Sequence, residues 1–232
     1  MRTQPREDEN RPVFPGKRRE IVVLVHGIWM TGLELRWLGG MLRRCGFMPR
    51  YFHYRSLRDT PRESAVRLGR FLTELRAERI HLVGHSLGGI VLLHLFDLKP
   101  ELPPGRVVFL GSPVRGSGVA RHMEATPWLH PFLGRSGERG VLGGVPPWRD
   151  GRELGVIAGS TRSALGIGRL IGGVAEPSDG TVAVAETRIP EATACCVLNH
   201  SHTGMLFSRR VAAEICRFLQ QGRFLECDAM DT

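Results

Sequence analysis

Hydrophobic positions follow two rhythms along this chain, short unbroken runs and longer stretches spaced by threes and fours, and the two alternate. Residues 20–27 (Glu-Ile-Val-Val-Leu-Val-His-Gly) are apolar and β-branched almost throughout, as a strand covered on both faces should be. Residues 31–45 read as a helix with Leu35, Leu38, Met41 and Leu42 on one face, and 47–54 as a second strand. Over 62–79, Ala65, Leu68, Leu72 and Leu75 recur at helical spacing and predict a strongly amphipathic helix. A short apolar run (Ile80, Leu82, Val83) stops at Gly84, and a helix-like run begins just past Ser86 and ends near Pro100. Residues 106–111, 154–159 and 194–198 read as further strands, and 204–221 as a closing helix carrying Leu206, Val211, Ile215, Phe218 and Leu219. Strands alternating with helices imply crossover connections and an α/β architecture, a mostly parallel sheet with helices on both faces.

Two stretches escape this pattern. Residues 1–19 are polar and broken by proline, which predicts a flexible arm ahead of a single domain over 20–232. Between 113 and 152 the periodicity disappears, and glycine and proline surround scattered large residues such as Trp128, Leu129, Phe132, Leu133 and Trp148. A loop of that length in a compact domain is usually functional or disordered. Its tryptophans and phenylalanine suggest a partly helical, lid-like cap over the sheet. The first 19 residues hold no signal-peptide core, and no apolar run is long enough to span a membrane.

A chain of 232 residues with 42% apolar and 24% charged residues can bury a sizeable core and is neither disordered nor fibrous. The net charge of +9 is almost wholly arginine, since only Lys17 and Lys99 are lysines. Such charge can attract nucleic acid or anionic lipid. The densest cluster is only Lys17-Arg18-Arg19, with no interleaved aromatics, so no nucleic-acid partner is expected. The five cysteines are odd in number and lack zinc-site spacing, and Cys195-Cys196 lie adjacent in an apolar run. These features predict no metal, buried free thiols rather than disulfides, and a reducing, cytoplasmic location. Gly166, Gly168, Gly172 and Gly173 miss the Gly-x-Gly-x-x-Gly spacing and do not follow an opening strand, so no dinucleotide or other cofactor is expected.

The chemistry concentrates at Gly84-His85-Ser86-Leu87-Gly88, which fits Gly-x-Ser-x-Gly between a buried strand and a buried helix. A strand that turns at once into a helix crowds its own backbone, so both glycines are needed to leave the serine exposed at a strained tip. A serine hydroxyl near neutral pH needs a base, a group orienting that base, and donors for the oxyanion. Two histidines, His200 and His202, lie between the last strand and the last helix. His202 is preferred because it immediately precedes the Thr-Gly-Met-Leu helix start. For the acid, Asp179 stands out in Pro-Ser-Asp-Gly-Thr-Val, with Glu176 and then Asp150 as fallbacks. His85 is expected only to pack or hydrogen-bond near the turn. For the oxyanion, the N–H of Leu87 and one from the His26-Gly27-Ile28-Trp29 loop are expected, Ile28 before Trp29.

These motifs resemble the small lipase- and esterase-like branch of the α/β-hydrolase superfamily, including the GPI-inositol-deacylase-like lipases, over about residues 20–225. The resemblance is carried by Val-Leu-Val-His-Gly at 23–27, Gly-His-Ser-Leu-Gly-Gly at 84–89 and Gly-Ser-Pro-Val-Arg-Gly-Ser at 111–117. Ser-Asp-Gly-Thr-Val at 178–182 and Ser-His-Thr-Gly-Met-Leu at 201–206 complete it. It implies a Ser86–Asp179–His202 triad and an α/β-hydrolase fold. The family's N-terminal antiparallel strand pair has no room before residue 20, so a trimmed sheet of about six strands is expected.

The reading is a serine hydrolase acting on a small-molecule or lipid ester, compatible with transient contact with a membrane surface. Trp29, Trp128 and Phe132 are candidates for an acyl- or alkyl-binding wall, although such residues serve equally well as packing. An acyltransferase or thioesterase would use the same triad, and a non-catalytic binding protein would keep only the fold.

Overall fold

The computed structural model describes residues 20–161, 167–225 and 227, so the arm expected over 1–19 and Gly166 lie outside them. Its strands are β1 (Glu20–Val25), β2 (Met48–Phe52), β3 (Arg79–His85), β4 (Val107–Leu110), β5 (Leu154–Gly159) and β6 (Ala194–Leu198). The helices are α1 (Arg36–Arg44), α2 (Pro61–Thr73), α3 (Leu87–Asp97), α4 (Gly118–Ala125), α5 (Ile167–Ile171) and α6 (Arg209–Gln221). The strands form one sheet in the order β2-β1-β3-β4-β5-β6, and every neighbouring pair is parallel. This is the α/β-hydrolase fold with its sheet reduced to six all-parallel strands.

The unbroken apolar runs have a direct cause. Alternate side chains of a strand point to opposite faces, and both faces of this sheet are covered. Ile21, Val23 and Val25 of β1 join Leu68 and Leu72 of α2 and the whole buried length of α3. Val22 and Leu24 join Leu38 and Leu42 of α1 and Ile215 and Phe218 of α6. α3 lies under so much protein that every residue from Leu87 to Phe96 is buried, which is why it shows no amphipathic pattern. α2 begins at a capping box in which Thr60 and Glu63 satisfy each other's backbone N–H groups. It stops at Thr73, short of the expected 79, and Arg79 instead pairs with Glu20 in the sheet.

The cysteines correct the expectation of free thiols. Cys45 at the end of α1 is joined to Cys216 of α6, and Cys196 of β6 to Cys227, leaving Cys195 as the free thiol. The first pair is 171 residues apart in sequence and meets only because α1 and α6 pack side by side on one face. Spacing along the chain carries no trace of that neighbourhood. With it falls the argument from free thiols for a reducing compartment. Among the described residues no helix is long and apolar enough to cross a membrane.

The 113–152 segment is partly helical and well packed. α4 starts at Ser117, whose hydroxyl accepts the Ala120 N–H, and short 3-10 turns follow at His130–Phe132 and Gly134–Gly137. Val119, Met123, Leu133, Val141 and Trp148 merge with the α2–α3 core. Trp148 stands edge-on to Phe96, ring centroids 4.9 Å apart, and buried His94 reaches the Arg139 carbonyl at 2.8 Å.

Candidate active site

Because all strands are parallel, their carboxyl ends share one edge of the sheet, and the loops leaving β1, β3, β5 and β6 converge there. That edge is where open parallel sheets bind ligands. Ser86 sits between β3 and α3 with φ 54° and ψ −122°, a conformation a non-glycine residue adopts only when its surroundings enforce it. The enforcement is visible at the flanking glycines. A Cβ on Gly84 would lie 2.6 Å from the Gly89 nitrogen, and one on Gly88 would collide with the Val25 carbonyl oxygen. No side chain fits at either place. Gly27 plays a related part from β1, where a Cβ would stand 3.0 Å from that of Ser86. Its absence lets the β1 loop lie directly against the serine.

Asp179 follows β5 in a tight turn. Its Oδ1 accepts the backbone N–H groups of Thr181 (2.9 Å) and Val182 (2.7 Å), and its Oδ2 lies 2.6 Å from His202 Nδ1. The His202 backbone N–H also donates to the Asp179 carbonyl at 3.0 Å, so loop and side chain are fixed together. The carboxylate is buried yet fully partnered, which is how a buried charge is tolerated. With Nδ1 engaged by Asp179, Nε2 is the ring nitrogen on the side away from the carboxylate. Ser86, Asp179 and His202 line one cleft of about 310 Å³ together with Gly27, Ile28, Trp29 and Thr181. No hydrogen bond joins Ser86 Oγ to His202 among the described residues. Catalytic hydrogen bonds in free enzymes are often long and tighten only when substrate binds.

The alternatives separate cleanly. His200 Nε2 contacts Ser208 Oγ at 2.9 Å, next to the cap of α6 and away from the cleft lining. Burial, reinforced by Arg210, holds its pKa below the ordinary imidazole range. Asp150 accepts the Arg152 N–H ahead of β5, at the opposite end of the strand from the site. Glu176 is exposed and does not line the cleft.

The N–H groups of Ile28, in the loop after β1, and of Leu87, at the start of α3, have no acceptor among the described residues, whereas Trp29 N–H is committed to Ser56 Oγ at 3.2 Å. The loop is braced by His26. Its Nδ1 bonds the Gly27 carbonyl at 2.8 Å, and its ring stacks on Tyr54, whose hydroxyl donates to the His26 carbonyl at 2.8 Å. Burial lowers the His26 pKa, so the ring is neutral and can also accept the Tyr54 N–H. Trp29, at φ 59°, turns its indole N–H to the Phe132 carbonyl at 2.8 Å and so ties this loop to the 113–152 segment.

Of the proposed wall residues, Trp29 lines the cleft. Trp128 and Phe132 do not, and their side chains stand 75% and 57% exposed at the surface. The residues that do wall a second recess beside Ser86 include Val119, Met123, Leu133 and Val141. They sit in the segment without periodicity, where no sequence signal separates wall from surface. His85 packs and hydrogen-bonds near the turn, as expected. It lines the cleft, its Nε2–H donates to the His202 carbonyl at 3.1 Å, and the two rings lie 4.7 Å apart. Burial, then the neighbouring His202 charge, pushes its pKa well below the usual range and keeps it neutral.

A parallel sheet with a strained serine turn and a paired aspartate and histidine over its carboxyl edge defines a hydrolase-type architecture. The sequence matches the alpha/beta hydrolase family over residues 22–185, and the chain belongs to that family. Comparison with curated protein sequences finds no match. Among solved structures, the mature form of lipase BlEst2 from Bacillus licheniformis is similar at a TM-score of 0.67 and 20% identity, covering 91% of this chain and 95% of that one. The metagenomic carboxyl esterase MGS0156 aligns at TM-score 0.64 and 15% identity over 94% of this chain and 82% of its own. The pyrethroid hydrolase PytH aligns at 0.58 and 14% over 87% and 99%.

Proposed function

We propose that this protein is a serine hydrolase that cleaves carboxylic esters through an acyl-enzyme. The observation that carries the reading is the 2.6 Å Asp179–His202 pair, set in one cleft with a serine held in strained geometry. Ser86 Oγ attacks the ester carbonyl carbon while His202 Nε2 takes its proton. Asp179 keeps the imidazole oriented and stabilises its charged form. The carbonyl electron pair moves onto oxygen, which faces the N–H groups of Ile28 and Leu87. One such donor is worth about 3 to 4 kcal/mol in a transition state of this kind. The bond to the alcohol oxygen then breaks, and that oxygen leaves with the proton from His202. Water adds to the acyl carbon, giving a proton to the same nitrogen. A second collapse returns that proton to Ser86 and releases the acid.

The lipase and carboxyl esterase among the structural neighbours favour an ester as substrate, and the quoted motifs favour the GPI-inositol-deacylase-like branch. Two disulfides favour an oxidising compartment over the cytoplasm. The test is a fluorophosphonate probe followed by peptide mapping. An adduct on Ser86 that vanishes in a folded Ser86→Ala variant, together with loss of ester turnover, is the expected result. A folded wild-type protein that takes up no probe and hydrolyses no ester rules the mechanism out.

A further inference from the structure

The space around Ser86 has two unequal lobes. One is the cleft of about 310 Å³, whose lining includes Ser201, His202 and Thr203. The other is a recess of about 40 Å³ walled by Val119, Ala120, Met123, Leu133, Val141 and Val182, and it does not touch His202. Ser86, Ile28, Trp29 and Thr181 border both. The chemistry assigns the lobes. The departing alcohol oxygen must collect its proton from His202, so the alcohol half of the ester belongs in the lobe that the histidine lines. The acyl half stays bonded to Ser86 Oγ and is left with the recess.

The recess is small, and its walls are held. A water-sized group needs roughly 10 to 15 Å³ of such space, so about 40 Å³ accommodates three or four carbon-sized groups. Met123, Leu133 and Val141 are buried members of the main core cluster and cannot swing out without opening it. The segment carrying them is anchored by Ser117 N–H to the Val141 carbonyl at 2.7 Å, His94 to the Arg139 carbonyl at 2.8 Å, and Arg135 N–H to the Leu57 carbonyl at 2.9 Å. Among the described residues no charged side chain lines the recess, so a charged acyl group would lose its hydration without a partner.

We propose that the enzyme selects esters of short, uncharged acyl groups, acetyl to about butyryl, on larger alcohols, and that Met123, Leu133 and Val141 set the acyl limit. The inference rests on the triad proposed above. An isomeric pair tests it, because hexyl acetate and ethyl hexanoate have the same atoms and differ in which side of the ester carries the long chain. Rates followed by acid release are normalised to sites counted with the fluorophosphonate. Hexyl acetate is turned over about tenfold faster or more, a difference in the range that a few misplaced methylenes produce. Met123→Ala narrows the ratio several-fold by raising the rate on ethyl hexanoate. Val141→Ala does so more weakly and decides the matter should Met123→Ala fail to fold. Equal or reversed rates in wild type, with Ser86 labelled and esters cleaved, overturn the acyl limit and leave the hydrolase reading intact. The same holds for an unchanged ratio in the folded variants. No label and no turnover of either ester overturn both.

Discussion

The floor and the roof of the site are built by different means. The floor is the carboxyl edge of the sheet, where Ser86, Asp179 and His202 are placed by backbone geometry: glycines that admit a tight approach, N–H groups that grip a carboxylate, and a carbonyl held by His85. The roof is the 113–152 segment, where the side chains of Met123, Leu133 and Val141 wall the recess. In the proposed mechanism, the groups that must be held most closely are fixed through main chain, which has few ways to move. On the proposal above, selection by size falls to side chains of the roof.

The sharpest way to break this contrast is to alter the floor and look for selectivity. Asp179→Asn leaves the loop bonds of the backbone but removes the charge that orients His202. It should lower kcat by about four orders of magnitude, equally for acetate and hexanoate esters in steady-state assays. A change in the ratio of the two would show that the floor also sorts substrates. Next in size is the covalent bracing, which lies outside the roof, since residues 113–152 contain no cysteine. Cys45 and Cys216 close a span of 171 residues, and a chain-entropy account assigns such a link about 5 kcal/mol. Cys216→Ser, or dithiothreitol, should therefore lower the urea midpoint strongly, and an unchanged midpoint would mean the link is dispensable.

Acid should separate the regions more gently. His81, on β3, has its pKa lowered to about 4 by burial first and then by Arg106, Arg79 and Arg152. A depressed folded value means that the unfolded chain takes up the proton first. The contribution is therefore complete above pH 6.5 and is lost as pH falls toward 4, about 3 kcal/mol over that window. His81→Gln should flatten this part of the stability profile measured by urea titration, and an equally steep profile would assign the loss to other groups. The smallest effect belongs to the single indole bond between the two regions. Trp29→Phe deletes the 2.8 Å contact to the Phe132 carbonyl and should cost about 1 kcal/mol of stability, read as a small drop in Tm.

Legibility in the sequence follows the same division. The strands were readable because burial on both faces removes polar alternation, and the serine turn because only glycine fits at 84 and 88. Asp179 and His202 were readable from the order of turns after β5 and β6, and the structure brings them to hydrogen-bond distance. What escaped depends on contacts remote in sequence or on elements too short for a period. The cap helix α4 is 8 residues long, and α5 only 5. The expected helix over 204–221 is interrupted, because Ser208 ends a 3-10 turn and caps α6. Cys45 meets Cys216, and Cys196 meets Cys227, through packing that no local pattern encodes.

The Cys45–Cys216 link has one more consequence. Ser86, Asp179, His202 and the entire roof lie inside the loop that it closes. A protease that nicks the roof produces two pieces that remain one molecule until a reductant separates them. Such a nicked form would run as intact protein on a non-reducing gel, with its seryl, carboxylate and imidazole groups still carried on a common tether.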